Sequence, residues 1–292
     1  MAETILLTGA TGFLGSHLLA ALLEHGYKVV ILKRSTSALR RIEHLLNQAD
    51  SYDLDREPLA RAFTEHPIDA VVHAACHYGR GGGKISEVVE TNLMFGLRLL
   101  ETAVSFKVPA FLNTDTLLAG DLNAYALSKK QFVQWLERES DQIQVVNLQL
   151  EQMYGPGDDG GKLVPWVIAQ LAAKAPEIKL TKGEQFRDFV YIDDVVAAYL
   201  TILRELPRLP SGSRFDVGTG TPLTVRSFVE SLQQAYEQRF GKTATRLNFG
   251  AIPYRAGELM AVQVDNGPLR ALGWRARVNP AEGLRRTMEM VA

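Results

Sequence analysis

A single cysteine, Cys76, is the whole thiol complement of this 292-residue chain. No internal disulfide framework is therefore available, and a reducing compartment, the cytoplasm, is the expected setting. Long apolar runs are missing too: none approaches the ~20 residues a membrane helix needs, so no membrane partner is expected. The opening Met1-Ala2-Glu3-Thr4 carries no basic stretch and Ile5-Leu6-Leu7 runs straight towards glycine, unlike a signal peptide. Charge of one sign is also lacking. The 32 basic and 33 acidic residues leave a net charge of -1, without the basic footprint of a nucleic-acid binder. What is present is apolar residue in quantity, 46% against 22% charged, enough for one large α/β domain carrying a smaller lobe. No internal repeat or low-complexity linker interrupts it.

The run Ile5–Leu7 gives way to Gly9, and Phe13–Leu23 then has helical spacing up to His25-Gly26, which reads as strand, tight turn, helix. Lys28–Leu32, Ala70–His73, Ala110–Asn113 and Gln144–Leu148 are further runs of strand length. Amphipathic stretches lie between them, near Leu59–Thr64, Ile85–Val104 and Ala126–Arg138. Parallel strands need long crossovers, so this alternation predicts a doubly wound parallel sheet of Rossmann type over residues 1–155. Beyond it the rhythm changes to Gly/Asp-rich loops, a helix near Leu163–Lys174 and irregular stretches. Residues 156–292 are expected to form mainly a substrate-binding lobe, with some segments returning to the first domain.

Thr8-Gly9-Ala10-Thr11-Gly12-Phe13-Leu14-Gly15 spaces glycines by three where the first strand becomes the first helix. Gly9 permits the sharp turn, Gly12 lets backbone approach a pyrophosphate, and Gly15 lets helix pack on strand, with Thr11, Phe13 and Leu14 offering the N–H groups of the helix start. An ordinary strand–helix turn is the bland alternative; the position between strand and helix favours a dinucleotide. Lys33-Arg34 ends the second strand, where a free ribose 2′-hydroxyl usually meets an acid; cations there favour the 2′-phosphate of NADPH, with NADH possible. A solvated strand end would look the same. Asp53, with Leu54, follows the third strand region, placed to accept from the adenine amino group, though an exposed loop aspartate would read the same; Ala74 and Ala75 follow the fourth, beside the cofactor cleft. The cluster Gly79–Lys84 fails as a phosphate loop because Ile85 stands where Ser or Thr should be. His73 and His77 flank Cys76, yet no further ligand has suitable spacing, and no metal is expected.

Tyr125 and Lys129 lie four apart on one helical face, and Thr114 closes the strand before them. Reduction of a carbonyl requires one proton at the developing alkoxide. Tyr125 is placed to deliver it, Lys129 to lower the phenol's pKa and hold the cofactor ribose, and Thr114 to orient the carbonyl.

The glycine turn, Tyr125/Lys129, Tyr154-Gly155-Pro156-Gly157, Arg187-Asp188-Phe189-Val190-Tyr191-Ile192-Asp193-Asp194-Val195, Val217-Gly218-Thr219-Gly220 and Leu272-Gly273-Trp274 together resemble the extended short-chain dehydrogenase/reductases of the NAD-dependent epimerase/dehydratase superfamily, which act on nucleotide sugars. The likeness runs over essentially the whole chain. Phe111–Thr116, Leu150–Asp158, Thr181–Phe189 and Phe249-Gly250-Ala251-Ile252 with Glu258 are similar to the CDP-abequose and CDP-paratose synthase branch. That resemblance implies NADPH-dependent reduction of a CDP-linked 4-keto-3,6-dideoxyhexose in deoxysugar and lipopolysaccharide biosynthesis. It implies Asn92 on the cofactor side, Arg187 and Arg255 on the nucleotide diphosphate, and Asp115, Glu151, Gln152 and Glu258 towards the substrate. It also implies a homodimer through a pair of long helices. From the residues alone, a helix-capping or buried structural role for Asn92, surface ion pairs for the two arginines, turn hydrogen bonds for Glu151 and Gln152, and helix capping by Asp193-Asp194 remain open.

Two departures stand out: Gln149 occupies a position where many members carry Arg, and the connection from Thr114 to Tyr125 is short. Dehydratases of the superfamily use an Asp-Glu pair after the catalytic Thr. Here Thr116 follows Asp115, which disfavours dehydration. A 4-epimerase needs no further side chain and is the runner-up. Non-catalytic relatives lose the Tyr or Lys, and both are kept here.

Overall fold

The computed structural model describes residues 3–255 and 257–290, so Met1 and Ala2 of the leader reading lie outside the described residues. In chain order the elements are β1 (Thr4–Thr8), α1 (Phe13–Glu24), β2 (Lys28–Lys33), β3 (Asp50–Asp53), α2 (Ala60–Glu65), β4 (Ala70–His73), α3 (Ile85–Val89), α4 (Phe95–Ser105), β5 (Ala110–Thr116), α5 (Ala124–Arg138) and β6 (Gln144–Leu150). There follow β7 (Gln152–Tyr154), α6 (Leu163–Ala172), β8 (Glu177–Leu180), β9 (Phe186–Arg187), β10 (Phe189–Tyr191), α7 (Ile192–Glu205), β11 (Ser213–Val217), β12 (Leu223–Thr224), α8 (Val225–Phe240), β13 (Arg246–Phe249), α9 (Gly267–Ala271) and α10 (Pro280–Glu289).

The chain divides into two compact units, the first running to Leu150 and resuming over Val196–Asp216, the second comprising Glu151–Val195 and everything from Val217. A seven-stranded sheet in the order β11-β6-β5-β4-β1-β2-β3 forms the first unit. The pairs β1–β2, β1–β4, β2–β3, β4–β5 and β5–β6 are parallel, the doubly wound α/β architecture the alternation predicts. Every residue of β1 and β4 is buried, which is why these central strands read as continuous apolar runs rather than alternating ones. Leu6, Val30, Val71, Phe111 and Val145 from five strands pack with Leu99, Leu100, Phe132 and Leu136 of α4 and α5 into one core.

Two local outcomes differ from the periodicity. β5 runs past Asn113 to Thr116 and β6 past Leu148 to Leu150; hydrogen-bonded polar side chains continue the ladder where apolar ones stop. The single helix expected over 85–104 is divided by a π turn at Glu90–Met94, a widening common where a side chain has a special task. Here buried Asn92 accepts from the His77 N–H (2.7 Å) and donates to the His77 carbonyl and to the Ser128 hydroxyl.

In the second unit three small pairings, β7–β10, β8–β13 and β9–β12, frame the helices. Phe189 and Phe228 stack with centroids 3.6 Å apart, and Tyr154 meets Phe228 edge-on at 5.2 Å. Gly283 makes the room: a Cβ there would lie 2.2 Å from the Tyr154 hydroxyl oxygen. The Asp194 carboxylate accepts from the Arg277 and Val278 N–H groups, and its carbonyl from the Trp274 indole. Asp194, in the first turn of α7, therefore ties the C-terminal segment to the start of that helix.

Candidate active site

The glycine turn is tight enough to need its glycines. Gly9 has φ +72°, and a Cβ on it would sit 2.6 Å from the Ala75 nitrogen; one on Gly15 would sit 2.0 Å from the Gly9 carbonyl oxygen. These two close the turn against Ala74-Ala75 and against itself. At Gly12 the nearest obstacle is the Gly9 carbonyl at 3.2 Å, so its remaining space is open to a ligand. The Thr8 hydroxyl fixes the neighbouring loop, accepting from the Ala75 N–H and bonding His73 Nδ1 at 2.8 Å. Burial pulls His73 down to about 3, with Lys129 acting in the same direction; the imidazole is neutral. Helix α1 begins at Phe13 with no side-chain cap and no acid in its first turn, so the positive end of its dipole is not offset by a carboxylate there. Phe13 and Leu14 are buried, so they offer the turn only backbone.

Around the end of β2 the structure redistributes the expected roles. Lys33 lies 3.6 Å from Asp53. Asp53 in turn accepts from the Ser35 hydroxyl (2.7 Å) and the Asp55 N–H, and the Ser35 bond chiefly holds it below the usual carboxylate range. The Asp53 carboxylate is thus engaged within its own loop, and the charge of Lys33 is partly matched. Leu54 packs into the core beside it. Arg34 stays exposed. A cation the sequence reading missed, Arg41, donates from Nη1 to the Thr11 carbonyl at 3.3 Å, carrying positive charge from the β2–β3 connection back to the glycine turn.

Asn123 caps α5, its side chain accepting from the Ala126 N–H, which places Tyr125 and Lys129 on the first turns of the helix. Lys129 is buried and its Nζ has no hydrogen-bond partner among the described residues. Burial pulls it below the usual lysine value, opposed by Cys76 and Asp115. For Tyr125, burial pushes the phenol well above the usual tyrosine value; Cys76 and Asp115 push the same way and a hydrogen bond with the Thr116 side chain pulls against them. The phenol is thus raised where the sequence predicts a lowering by Lys129, because desolvating a phenolate in this buried position is the leading contribution. Tyr78 lies against the Tyr125 ring at 5.0 Å, and Arg80 covers Tyr78 at 5.1 Å.

The Thr114 hydroxyl is 2.7 Å from the Tyr199 hydroxyl. Thr116, two residues on and on the same face of β5, accepts from the Leu118 N–H, and its side chain is the one that pulls the Tyr125 phenol's pKa down. Asp115 points to the other face. Its side chain is 1% exposed and accepts from Lys130 (2.7 Å), Asn147 (3.1 Å) and Gln149 (3.3 Å). Asp115 is thus a buried anchor between β5, β6 and α5, and Gln149 fills the Arg position of the resemblance by helping to hold it.

In the second unit Glu151 is buried and Gln152 exposed. Burial pushes Glu151 up to about 7, Asp188 adding to the rise and Arg187 opposing it. Arg187 and Glu258 meet each other, Nη2 to Oε1 at 2.5 Å, while Arg187 Nη1 donates to the Phe186 and Leu259 carbonyls. Arg255 is exposed. Among the described residues no three His, Cys, Asp or Glu side chains converge as metal ligands would, and no helix is long and apolar enough to cross a membrane.

Residues 5–218 match the NAD dependent epimerase/dehydratase family, and the chain belongs to that family. It is similar to the CDP-abequose synthases of Salmonella typhimurium (32% identical, covering 97% of this chain and 96% of the relative) and Salmonella muenchen (33%, 99% and 98%). It is also similar to the crystal structure of UDP-glucose 4-epimerase with UDP-glucose from Thermotoga maritima, with TM-score 0.84, 25% identity, and 99% and 98% coverage. The residues present fit a dinucleotide. A buried ammonium without a partner is costly, and ribose hydroxyls would satisfy Lys129 while the open side of Gly12 and the uncapped start of α1 receive a pyrophosphate.

Proposed function

We propose that the protein is an NADPH-dependent reductase of a nucleotide-linked 4-keto-6-deoxy sugar, specifically a CDP-4-keto-3,6-dideoxyhexose, in deoxysugar biosynthesis of the lipopolysaccharide O-antigen type. The observation that carries this reading is Tyr125 and Lys129 on the first turns of α5 together with a strand end, Thr114-Asp115-Thr116, in which Thr116 stands where a dehydratase carries Glu. Reduction asks the protein for one proton and a held carbonyl. Dehydration asks for an additional acid and base, and here that pair is incomplete.

When bound, the cofactor supplies the hydride to C4. Tyr125 gives its proton to the C4 oxygen. Its raised pKa in the free protein keeps that proton loaded before turnover, and the Thr116 hydroxyl fixes the phenol and the carbonyl in one arrangement. Lys129 binds the ribose and, with its charge close to the phenol, stabilises the phenolate left behind. Arg187 and Arg255 take the diphosphate, for which a planar guanidinium suits bidentate binding, Glu258 orients Arg187, and Glu151 and Gln152 meet the sugar. Arg34 and Arg41 support NADPH over NADH, as two cations near the glycine turn suit a 2′-phosphate. The relatedness to the two CDP-abequose synthases supports the CDP-linked ketone.

The likeness to a UDP-glucose 4-epimerase supports a second reading, epimerisation with a retained NAD. Incubation with NADPH and a panel of CDP-, dTDP-, GDP- and UDP-linked 4-keto sugars separates the two. Loss of reduced-cofactor absorbance with the CDP ketone is expected. Sugar inversion without net cofactor oxidation would replace the reductase by the epimerase.

A further inference from the structure

Lys130 is adjacent in sequence to the proposed ribose-binding Lys129 but turns to a different task. Its ammonium donates to the Asp115 carboxylate at 2.7 Å and also to the Thr116 carbonyl. Its stem runs over Gly120, where a Cβ would lie 3.3 Å from Lys130 Cγ. Thr116 is the last residue of β5 and Tyr125 stands in the first turn of α5, so one side chain of α5 grips the end of the strand that precedes the tyrosine's own helix. Asp115 is the other half of the clasp. Asn147 and Gln149 contribute neutral donors to it, Asn113 braces Asn147 at 2.7 Å, and Lys130 is the cation among the side chains bonded to this buried carboxylate.

We infer that Lys130 is a positioning residue: by clasping Asp115 and the Thr116 carbonyl it sets the end of β5 against the start of α5, and so fixes the Thr116 hydroxyl relative to the Tyr125 phenol. The inference rests on the reductase reading for its kinetic consequence and on the geometry alone for its structural one. Without the clasp the end of β5 is free to move, and a displacement of about 1 Å at reacting groups reduces turnover by as much as a hundredfold. The buried carboxylate also loses its balancing charge, and Asp115 already pushes the Tyr125 phenol upward. Lys130 touches neither of the proposed ligands in this account, so binding is spared while turnover is lost.

The test compares Lys130→Met, Lys130→Arg and Lys130→Met with Asp115→Asn, each checked for folding by thermal denaturation. With NADPH and the CDP-linked ketone, Lys130→Met should lower kcat by about tenfold or more while KM and NADPH affinity stay within about twofold. Lys130→Arg should restore most of the rate, and removing the carboxylate should shrink the effect of Lys130→Met, since coupled residues are not additive. Hydrogen exchange of the ligand-free protein should quicken at Leu117, Leu118 and the first turn of α5 in Lys130→Met, with β1 and β2 unchanged. An unchanged kcat, no rescue by arginine, or full additivity with Asp115→Asn overturns the inference. If the parent protein reduces no ketone, the reductase reading fails by itself, and the exchange measurement decides on Lys130: unaltered exchange at those amides overturns it.

Discussion

The Thr114 hydroxyl lies 2.7 Å from the hydroxyl of Tyr199, whereas the Thr116 side chain is the one that pulls the Tyr125 phenol's pKa down. The two threonines are thus predicted to separate in kinetics. Thr116→Val, which keeps shape and removes the hydroxyl, should reduce kcat by about ten- to a hundredfold, the scale of one oriented hydrogen bond near the reacting oxygen. Thr114→Val should cost far less. Steady-state rates with the CDP-linked ketone check this, and a larger loss for Thr114→Val would return the role to Thr114.

Gly12 and Gly15 should fail differently when changed to alanine. At Gly15 the added Cβ meets the Gly9 carbonyl oxygen at 2.0 Å, backbone against backbone, and the protein should not fold stably. At Gly12 the nearest atom is 3.2 Å away, so Gly12→Ala should keep its thermal midpoint within a few degrees and lose cofactor binding. Thermal denaturation with an NADPH fluorescence titration distinguishes the cases; parent-like NADPH affinity in Gly12→Ala would remove the glycine turn from the cofactor site.

Arg41 reaches the Thr11 carbonyl and Arg34 stands exposed at the end of β2. If they face a 2′-phosphate, Arg34→Ala and Arg41→Ala should each weaken NADPH by about tenfold, the scale of one charge-assisted hydrogen bond. NADH binding should hardly change. Equal weakening of both cofactors, or tighter NADH binding by the parent, contradicts the assignment.

Glu151 gives a pH signature. Burial raises it to about 7 in the folded chain from its usual 4.5, so between those values the folded state keeps a proton that the unfolded state has released. Its contribution to stability is fully present below about 4.5 and is lost as pH rises towards 7, by up to about 3 kcal/mol. His73 acts oppositely, since a folded value of about 3 against 6.5 makes its contribution complete above about 6.5 and lost as pH falls. Between about pH 4.5 and 6.5 the two oppose each other, so Glu151→Gln should make the thermal midpoint rise more steeply with pH than the parent's across that window. A pH dependence identical to the parent's would show that Glu151 is ionised throughout.

The doubly wound sheet was legible because Ile5–Leu7, Val29–Leu32 and Ala70–His73 are buried on both faces and cannot hide their apolar runs. The glycine turn was legible because two of its glycines are demanded by backbone contacts that no other residue permits. The ends of β5 and β6 were not, since Thr114, Asp115 and Gln149 are polar and owe their strand geometry to cross-strand hydrogen bonds. Nor was the pairing of Arg187 with Glu258, or of Asp194 with the Arg277 and Val278 amides. Those contacts join residues 71 to 84 positions apart, and local pattern carries no trace of them. Arg41 and Lys130 were overlooked for a related reason: a lone cation reads as solvated until its partners are placed beside it.

The central claim, net hydride delivery to a sugar ketone with Tyr125 supplying the proton, is tested most directly by isotope tracing. The protein is incubated with a CDP-linked 4-keto-3,6-dideoxyhexose and NADPH deuterated at nicotinamide C4, the parent beside Tyr125→Phe. The account predicts deuterium at C4 of the sugar product, one cofactor oxidised per sugar, and a rate lower by orders of magnitude in Tyr125→Phe with NADPH still bound. Product without deuterium and cofactor left reduced, or full turnover in Tyr125→Phe, would contradict it.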